Sequence, residues 1–86
     1  MEGFLMIQAQ ASAIGAAYEA IREINGIVQI VRTAGPYDLV ALVRGLTDQT
    51  TAATLERVRS LQGVLRVLFA PRVAVDAAQE TPSLGG

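Results

Sequence analysis

Two stretches of this chain share one pattern. Arg22-Glu23-Ile24-Asn25-Gly26-Ile27-Val28-Gln29-Ile30 aligns with Arg59-Ser60-Leu61-Gln62-Gly63-Val64-Leu65-Arg66-Val67. The common form is Arg-x-apolar-amide-Gly-apolar-x-x-apolar. A glycine directly after a helix takes the left-handed conformation that closes it, and the apolar residue that follows opens a strand. A chain that does this twice is built from two helix-Gly-strand units, and no other feature limits the fold as tightly. Two unrelated helix ends would give the same signal, but the order of the flanking elements favours a duplication.

Residues 3–11 read as the first strand, with Phe4, Met6, Gln8 and Gln10 alternating with Leu5, Ile7, Ala9 and Ala11. Ser12 is the expected N-cap of the first helix, whose apolar stripe is Ile14, Ala17, Ile21 and Ile24. Residues 27–34 and 39–44 read as the second and third strands, joined by a short turn and therefore antiparallel. Thr47 or Asp48 caps the second helix, with Leu55, Val58 and Leu61 as its stripe. Residues 64–73 form the fourth strand, and Pro71 marks an edge or a strand end. The order β-α-β-β-α-β predicts an α+β, ferredoxin-like fold: a four-stranded antiparallel sheet with two helices on one face. Both alternate sets of several strands are apolar, Phe4 and Met6 as well as Leu5 and Ile7, Val40 and Leu42 as well as Leu39 and Ala41. The helices cover one face, and the simplest cover for the other is a second sheet. That predicts a homodimer packed sheet to sheet, a dimeric α+β barrel.

Composition points the same way. The 86 residues suffice for one domain, expected over 1–75, with residues 76–86 a polar, mobile tail. Small domains often need a staple, and the absence of Cys and His excludes disulfides and most zinc, haem and iron–sulfur sites. Oligomerisation remains, and an apolar fraction of 51% gives it surface to use. No cofactor is expected. Without His, Cys or Lys, the common general base, soft nucleophile and Schiff-base amine are missing, so the expectation is a non-enzyme. The seven basic residues are all Arg, scattered from Arg22 to Arg72, and net charge is −1. Direct nucleic-acid binding is not expected. No apolar run approaches ~18 residues, and the Phe4–Ile7 run is too short for a signal peptide. The expected location is the cytoplasm.

The tetrad Gly35-Pro36-Tyr37-Asp38 is the candidate site. Gly-Pro is a turn signal, and a Tyr and an Asp directly after it are held at a fixed place on the sheet. By local chemistry alone, Tyr37 packs and Asp38 bonds to turn amides; presenting a carboxylate to a small polar ligand is the functional alternative. Arg32, Arg44 and Arg66 flank strands and can bind a carboxylate or remain solvated. Thr47, Thr50, Thr51 and Thr54 read as capping and surface residues. Glu19 and Glu23 share a helix face but lack the further ligands a metal needs.

Residues Ile24 to Val28, Thr33 to Arg44 and Leu61 to Val64, in that order, resemble the ligand-binding domain of the Lrp/AsnC family, the regulation-of-amino-acid-metabolism (RAM) domain. Its hallmarks are a helix ending in apolar-x-Gly-Val, a strand, Gly-x-Tyr/Phe-Asp, and a second apolar-x-Gly-Val. The resemblance covers roughly Phe4 to Val75. It implies sheet-to-sheet dimers joined into rings, often octamers, with an amino-acid-like effector bound between dimers near the tetrad. Gly35 and Pro36 would contribute backbone, Tyr37 would shape the pocket, and Asp38 would meet an α-amino group. Family members commonly carry ligand-binding Thr where this chain has Val67 and Phe69, so two hydroxyls are missing from that site. The module begins at residue 3, and the expectation is a stand-alone domain without the family's helix-turn-helix, sensing a ligand and co-assembling with a DNA-binding relative. Two alternatives stay open: a small dimeric α+β-barrel enzyme, which shares the topology, and an ACT-like regulatory domain.

Overall fold

The computed structural model describes residues 2–45 and 47–72. The expected tail, 76–86, and the expected end of the last strand lie outside the described residues. Strand β1 (Glu2–Ala9) is followed by a single 3-10 turn (Ala11–Ala13), helix α1 (Ile14–Arg22), β2 (Ile27–Arg32), β3 (Leu39–Arg44), α2 (Asp48–Arg59) and β4 (Val64–Pro71). The sheet order is β2-β3-β1-β4, with every neighbouring pair antiparallel. This is the ferredoxin-like α+β arrangement that the sequence predicts.

The two repeat units are built alike. Gly26 and Gly63 both have positive φ, 102° and 85°. In each unit the first strand residue bonds back to the end of the helical segment: Ile27 N–H to the Ile24 carbonyl at 3.1 Å, and Val64 N–H to the Leu61 carbonyl at 3.2 Å. Each glycine carbonyl is then held from a neighbouring strand's end, Gly26 by the Arg44 amide and Gly63 by the Gln10 amide, both at 2.8 Å. The likeness extends to an irregularity that the sequence pattern conceals. The β2–β3 register passes from Ile27 to Gln29, and the β1–β4 register from Val64 to Arg66. Val28 and Leu65, each two residues after its glycine, are therefore bulged out of the ladder, and both are exposed. The duplication is structural as well as sequential.

Several local expectations change. Ser12 does not cap α1; the 3-10 turn intervenes, and Ala13 precedes the helix with no side-chain cap. Thr47 does cap α2, in a reciprocal box with Thr50. Thr51 and Thr54 are buried rather than on the surface. Their hydroxyls donate to the carbonyls one turn back, Thr51 to Thr47 at 3.0 Å and Thr54 to Thr50 at 3.1 Å, and Thr54 also reaches the Asn25 carbonyl at 3.2 Å. A hydroxyl satisfied in this way is buried at little cost. Strand β2 ends at Arg32, so the connection to β3 is longer than the expected short turn.

The core lies between helices and sheet. Leu5, Ile7, Leu39, Ala41 and Val43 meet Ala17, Ile21, Ile24 and Val58 there. On the opposite face no element lies among the described residues. Phe4 is 40% exposed and Val31 43% exposed, beside half-buried Met6, Val40, Leu42 and Leu68. A shallow groove of about 140 Å³ runs between Phe4, Gln29, Val31, Val40 and Leu42. The two ends of the described chain meet: the Arg72 amide donates to the Glu2 carbonyl at 2.8 Å.

Candidate ligand site

The loop between β2 and β3 closes on itself and is pinned to β1. Gly35 has φ 110°, with open space where a Cβ would stand, so its backbone conformation is what requires glycine. Thr33 N–H donates to the Asp38 carbonyl at 2.9 Å, and the Thr33 hydroxyl to the Tyr37 carbonyl at 2.8 Å. From outside the loop, the Gln8 side-chain amide donates to the Pro36 carbonyl at 2.6 Å, and the Asp38 amide donates to the Ile7 carbonyl at 2.9 Å.

The Asp38 carboxylate does not bond turn amides, as local chemistry alone suggests. Its Oδ2 accepts from the backbone amide of Ala9 at 2.9 Å. Strand β3 begins only at Leu39, so its ladder has ended where Ala9 points. The side chain supplies the acceptor that the missing strand residue would have given. Among the described residues Oδ1 of Asp38 has no hydrogen-bond partner, and the half-buried Tyr37 donates no side-chain hydrogen bond. The tetrad thus presents one free carboxylate oxygen, a phenol and loop backbone at one corner of the sheet.

The other residues singled out from sequence lie elsewhere. Val67 is 6% exposed and part of the core, opposite Ile7; Phe69 packs against the core, opposite Leu5. Both side chains sit on the helix side, and β1 separates their strand from the loop, so the structure does not bring them to the tetrad. Arg44 is engaged at the far end of the sheet, where its Nε and Nη2 donate to Oε2 of Glu2 at 2.9 and 2.6 Å, while Arg72 reaches Oε1 at 2.8 Å. The hydrogen bond from Arg44, assisted by the charges of both guanidinium groups, holds the Glu2 carboxyl below its ordinary range. Arg66 is exposed on the uncovered face, directly opposite Gln8. Gln8 is the residue that sequence reasoning passed over; its one signal was a polar side chain following Phe4 and Met6 in the same alternate set. Open grooves of about 360 Å³ lie beside Arg59 and Leu65, and of about 300 Å³ beside Asn25 and Thr50. No group of His, Cys, Asp and Glu among the described residues is arranged to hold a metal ion. No helix among them is long and apolar enough to cross a membrane.

No protein-family model matches the chain. A 45-residue stretch is 40% identical to the HTH-type transcriptional regulator LysM of Sulfurisphaera tokodaii; it covers 52% of this chain and spans only 32% of the length of that relative. Among solved structures, TTHA0845 from Thermus thermophilus is 32% identical over 87% of this chain and 98% of that one, with a TM-score of 0.76. FFRP-DM1 aligns over 84% of this chain and 97% of its own with a TM-score of 0.78, at 15% identity, a likeness of fold alone.

Proposed function

We propose that this chain is a ligand-binding (RAM) domain of the Lrp/AsnC type, that it senses a small amino-acid-like effector, and that it assembles with copies of itself. The observation that carries this reading is the uncovered sheet face. Phe4, Met6, Val40, Leu42 and Leu68 form a contiguous apolar surface, rimmed by charge at the Glu2–Arg44–Arg72 end. Patches of this kind mark association surfaces, and a second copy offers an equally apolar and equally flat partner. Pairing of faces gives a two-fold dimer, and dimers joined into a ring are the further step that the family suggests.

The effector site is the tetrad. Gly35 and Pro36 contribute backbone, Tyr37 shapes the pocket, and the free oxygen of Asp38 receives an ammonium group, the partner that a half-buried carboxylate favours. Val67 and Phe69 stand where the family commonly has Thr. They lie in or against the core, across β1 from the tetrad, and offer no hydroxyl to it. Nothing in this scheme requires catalysis. In the cytoplasm, co-assembly with a DNA-binding relative would let the effector alter that regulator's assembly. Light scattering combined with a thermal-shift screen of the twenty amino acids tests the proposal. The expected result is a dimer or larger assembly, and a raised Tm with at least one amino acid. A monomer at high concentration that no amino acid stabilises would overturn it.

A further inference from the structure

Strand β4 ends the sheet on one side, and no strand lies beyond it among the described residues. Such an edge carries unpaired backbone donors and acceptors, which natural sheets blunt with charge, proline or a bulge. The hydrogen bonds of β4 show which residues turn outward. The Arg72 amide donates to the Glu2 carbonyl of β1, so Ala70, Leu68 and Arg66, at alternate positions, face β1 as well. Val67 and Phe69 turn their N–H and C=O groups to the open edge. The run is blunted at both ends. Pro71 has no N–H to give, and the bulge at Leu65 breaks the alternation. The centre of what remains is Leu68.

The first repeat treats its edge differently. Continued along the strands, the repeat alignment sets Val31 against Leu68 and Arg32 against Phe69. The Thr33 amide donates to the Asp38 carbonyl, which turns Arg32 outward on β2, the opposite edge. A charge thus blunts β2 where β4 carries an aromatic ring.

The open run of β4 is complementary to itself. About a two-fold axis at Leu68, Val67 of each copy exchanges both backbone bonds with Phe69 of the other. Leu68 then lies against its own counterpart, and Arg66 lies opposite Ala70. The two Arg66 side chains stay apart, so no like charges meet across the pair. Moving the axis to Val67 sets Phe69 against the bulged Leu65. Moving it to Phe69 sets Val67 against Pro71, which lacks the donor. We propose that β4 pairs with β4 of a second copy in the Leu68-centred register, joining two sheets edge to edge. The contact leaves the uncovered face and the 33–38 loop free, and rests on neither the effector reading nor the sheet-to-sheet dimer. It is too short to hold a dimer by itself. A face-paired dimer carries a β4 edge on each copy, so the contact joins such dimers into larger assemblies.

Disulfide trapping tests this, because it captures weak contacts and the chain has no cysteine of its own. Residues on the axis form a non-hydrogen-bonded pair with Cα atoms about 4.5 Å apart, within the span of a disulfide. Facing sheets, about 10 Å apart, lie beyond it. Leu68→Cys should give a disulfide-linked dimer under mild oxidation, and should still do so when combined with Leu42→Arg, which removes the face pairing. Val31→Cys, the counterpart on the β2 edge, should not cross-link. Arg66→Cys and Ala70→Cys should each fail alone, yet form a heterodimer of distinct mass when mixed. Equal cross-linking at Val31 and Leu68 would mean chance collision and overturn the proposal. A Leu68→Cys protein with native circular dichroism that does not cross-link overturns it too. Cross-linking at Leu68 without the mixed heterodimer overturns the register.

Discussion

Glu2 and Asp38 do comparable work at opposite ends of the sheet, each using one carboxylate to join neighbouring strands where the ladder ends. Glu2 binds Arg44 of β3 and Arg72 beyond β4. Its folded pKa lies below the ordinary value of 4.5, chiefly through the Arg44 hydrogen bond. A depressed carboxyl contributes stability that is complete above the unfolded pKa and is lost as pH falls through the folded one. Glu2→Gln should therefore be less stable than the wild type in urea unfolding at pH 7, and the two should converge as pH falls through the folded pKa. A gap that stays constant with pH would mean that charge is not the cause. The pairs are exposed, so added salt should also narrow the gap. At this scale the sequence revealed position better than partnership. The turn dipeptide located Asp38, but its bond runs to Ala9, far away in the chain, and local chemistry pointed to the nearest amides instead. The same distance hid Gln8, whose meaning depends on a loop carbonyl and a strand register.

Elements were legible wherever a backbone conformation demanded a particular residue. Gly63 is the sharpest case: its φ of 85° suits glycine, and a Cβ there would collide with that of Ala13. Gly63→Ala should destabilise the fold by roughly 1–3 kcal/mol, through strain at a left-handed position and displacement of the 3-10 turn. Equilibrium urea denaturation measures this, and a change within about 0.5 kcal/mol, the usual range for a surface substitution, would contradict it. Elements were less legible where several residue types fit. Ser12 has the chemistry of a cap, but the chain spends that stretch on a 3-10 turn. Thr51 and Thr54 have the chemistry of a surface helix start, yet back-bonding to carbonyls makes them buryable. Val28 and Leu65 look like ordinary strand residues, because a bulge needs no distinctive side chain when the extra residue points to solvent.

For the whole molecule, the decisive fact is that β1 and β3 are apolar on both sides, a property written directly in their alternation. The structure assigns the sides: Ala41 is buried against the helices, and Leu42 lies on the uncovered face. Leu42→Arg should yield a folded monomer, with unchanged circular dichroism and half the wild-type dimer mass by light scattering, because an arginine buried against a second apolar sheet would have to shed water without a counter-charge. A dimer that survives this change refutes sheet-to-sheet packing. The substitution also leaves the proposed effector corner untouched, since Leu42 pairs with Phe4, away from Asp38. One further consequence follows from the hydrogen bond between Arg72 and Glu2. The two halves, β1-α1-β2 and β3-α2-β4, are joined covalently through residues 33–38, and at the equivalent junction between β4 and β1 the backbone already touches itself. The architecture is a closed cycle with a single nick, and its topology does not dictate where that nick falls. A circular permutant that joins residues 72 and 2 through a short linker and opens the chain within 33–38 retains every strand pair of the sheet. The chain order of the halves is thus separable from the fold, whereas the proposed effector corner, which depends on an intact loop, is tied to it.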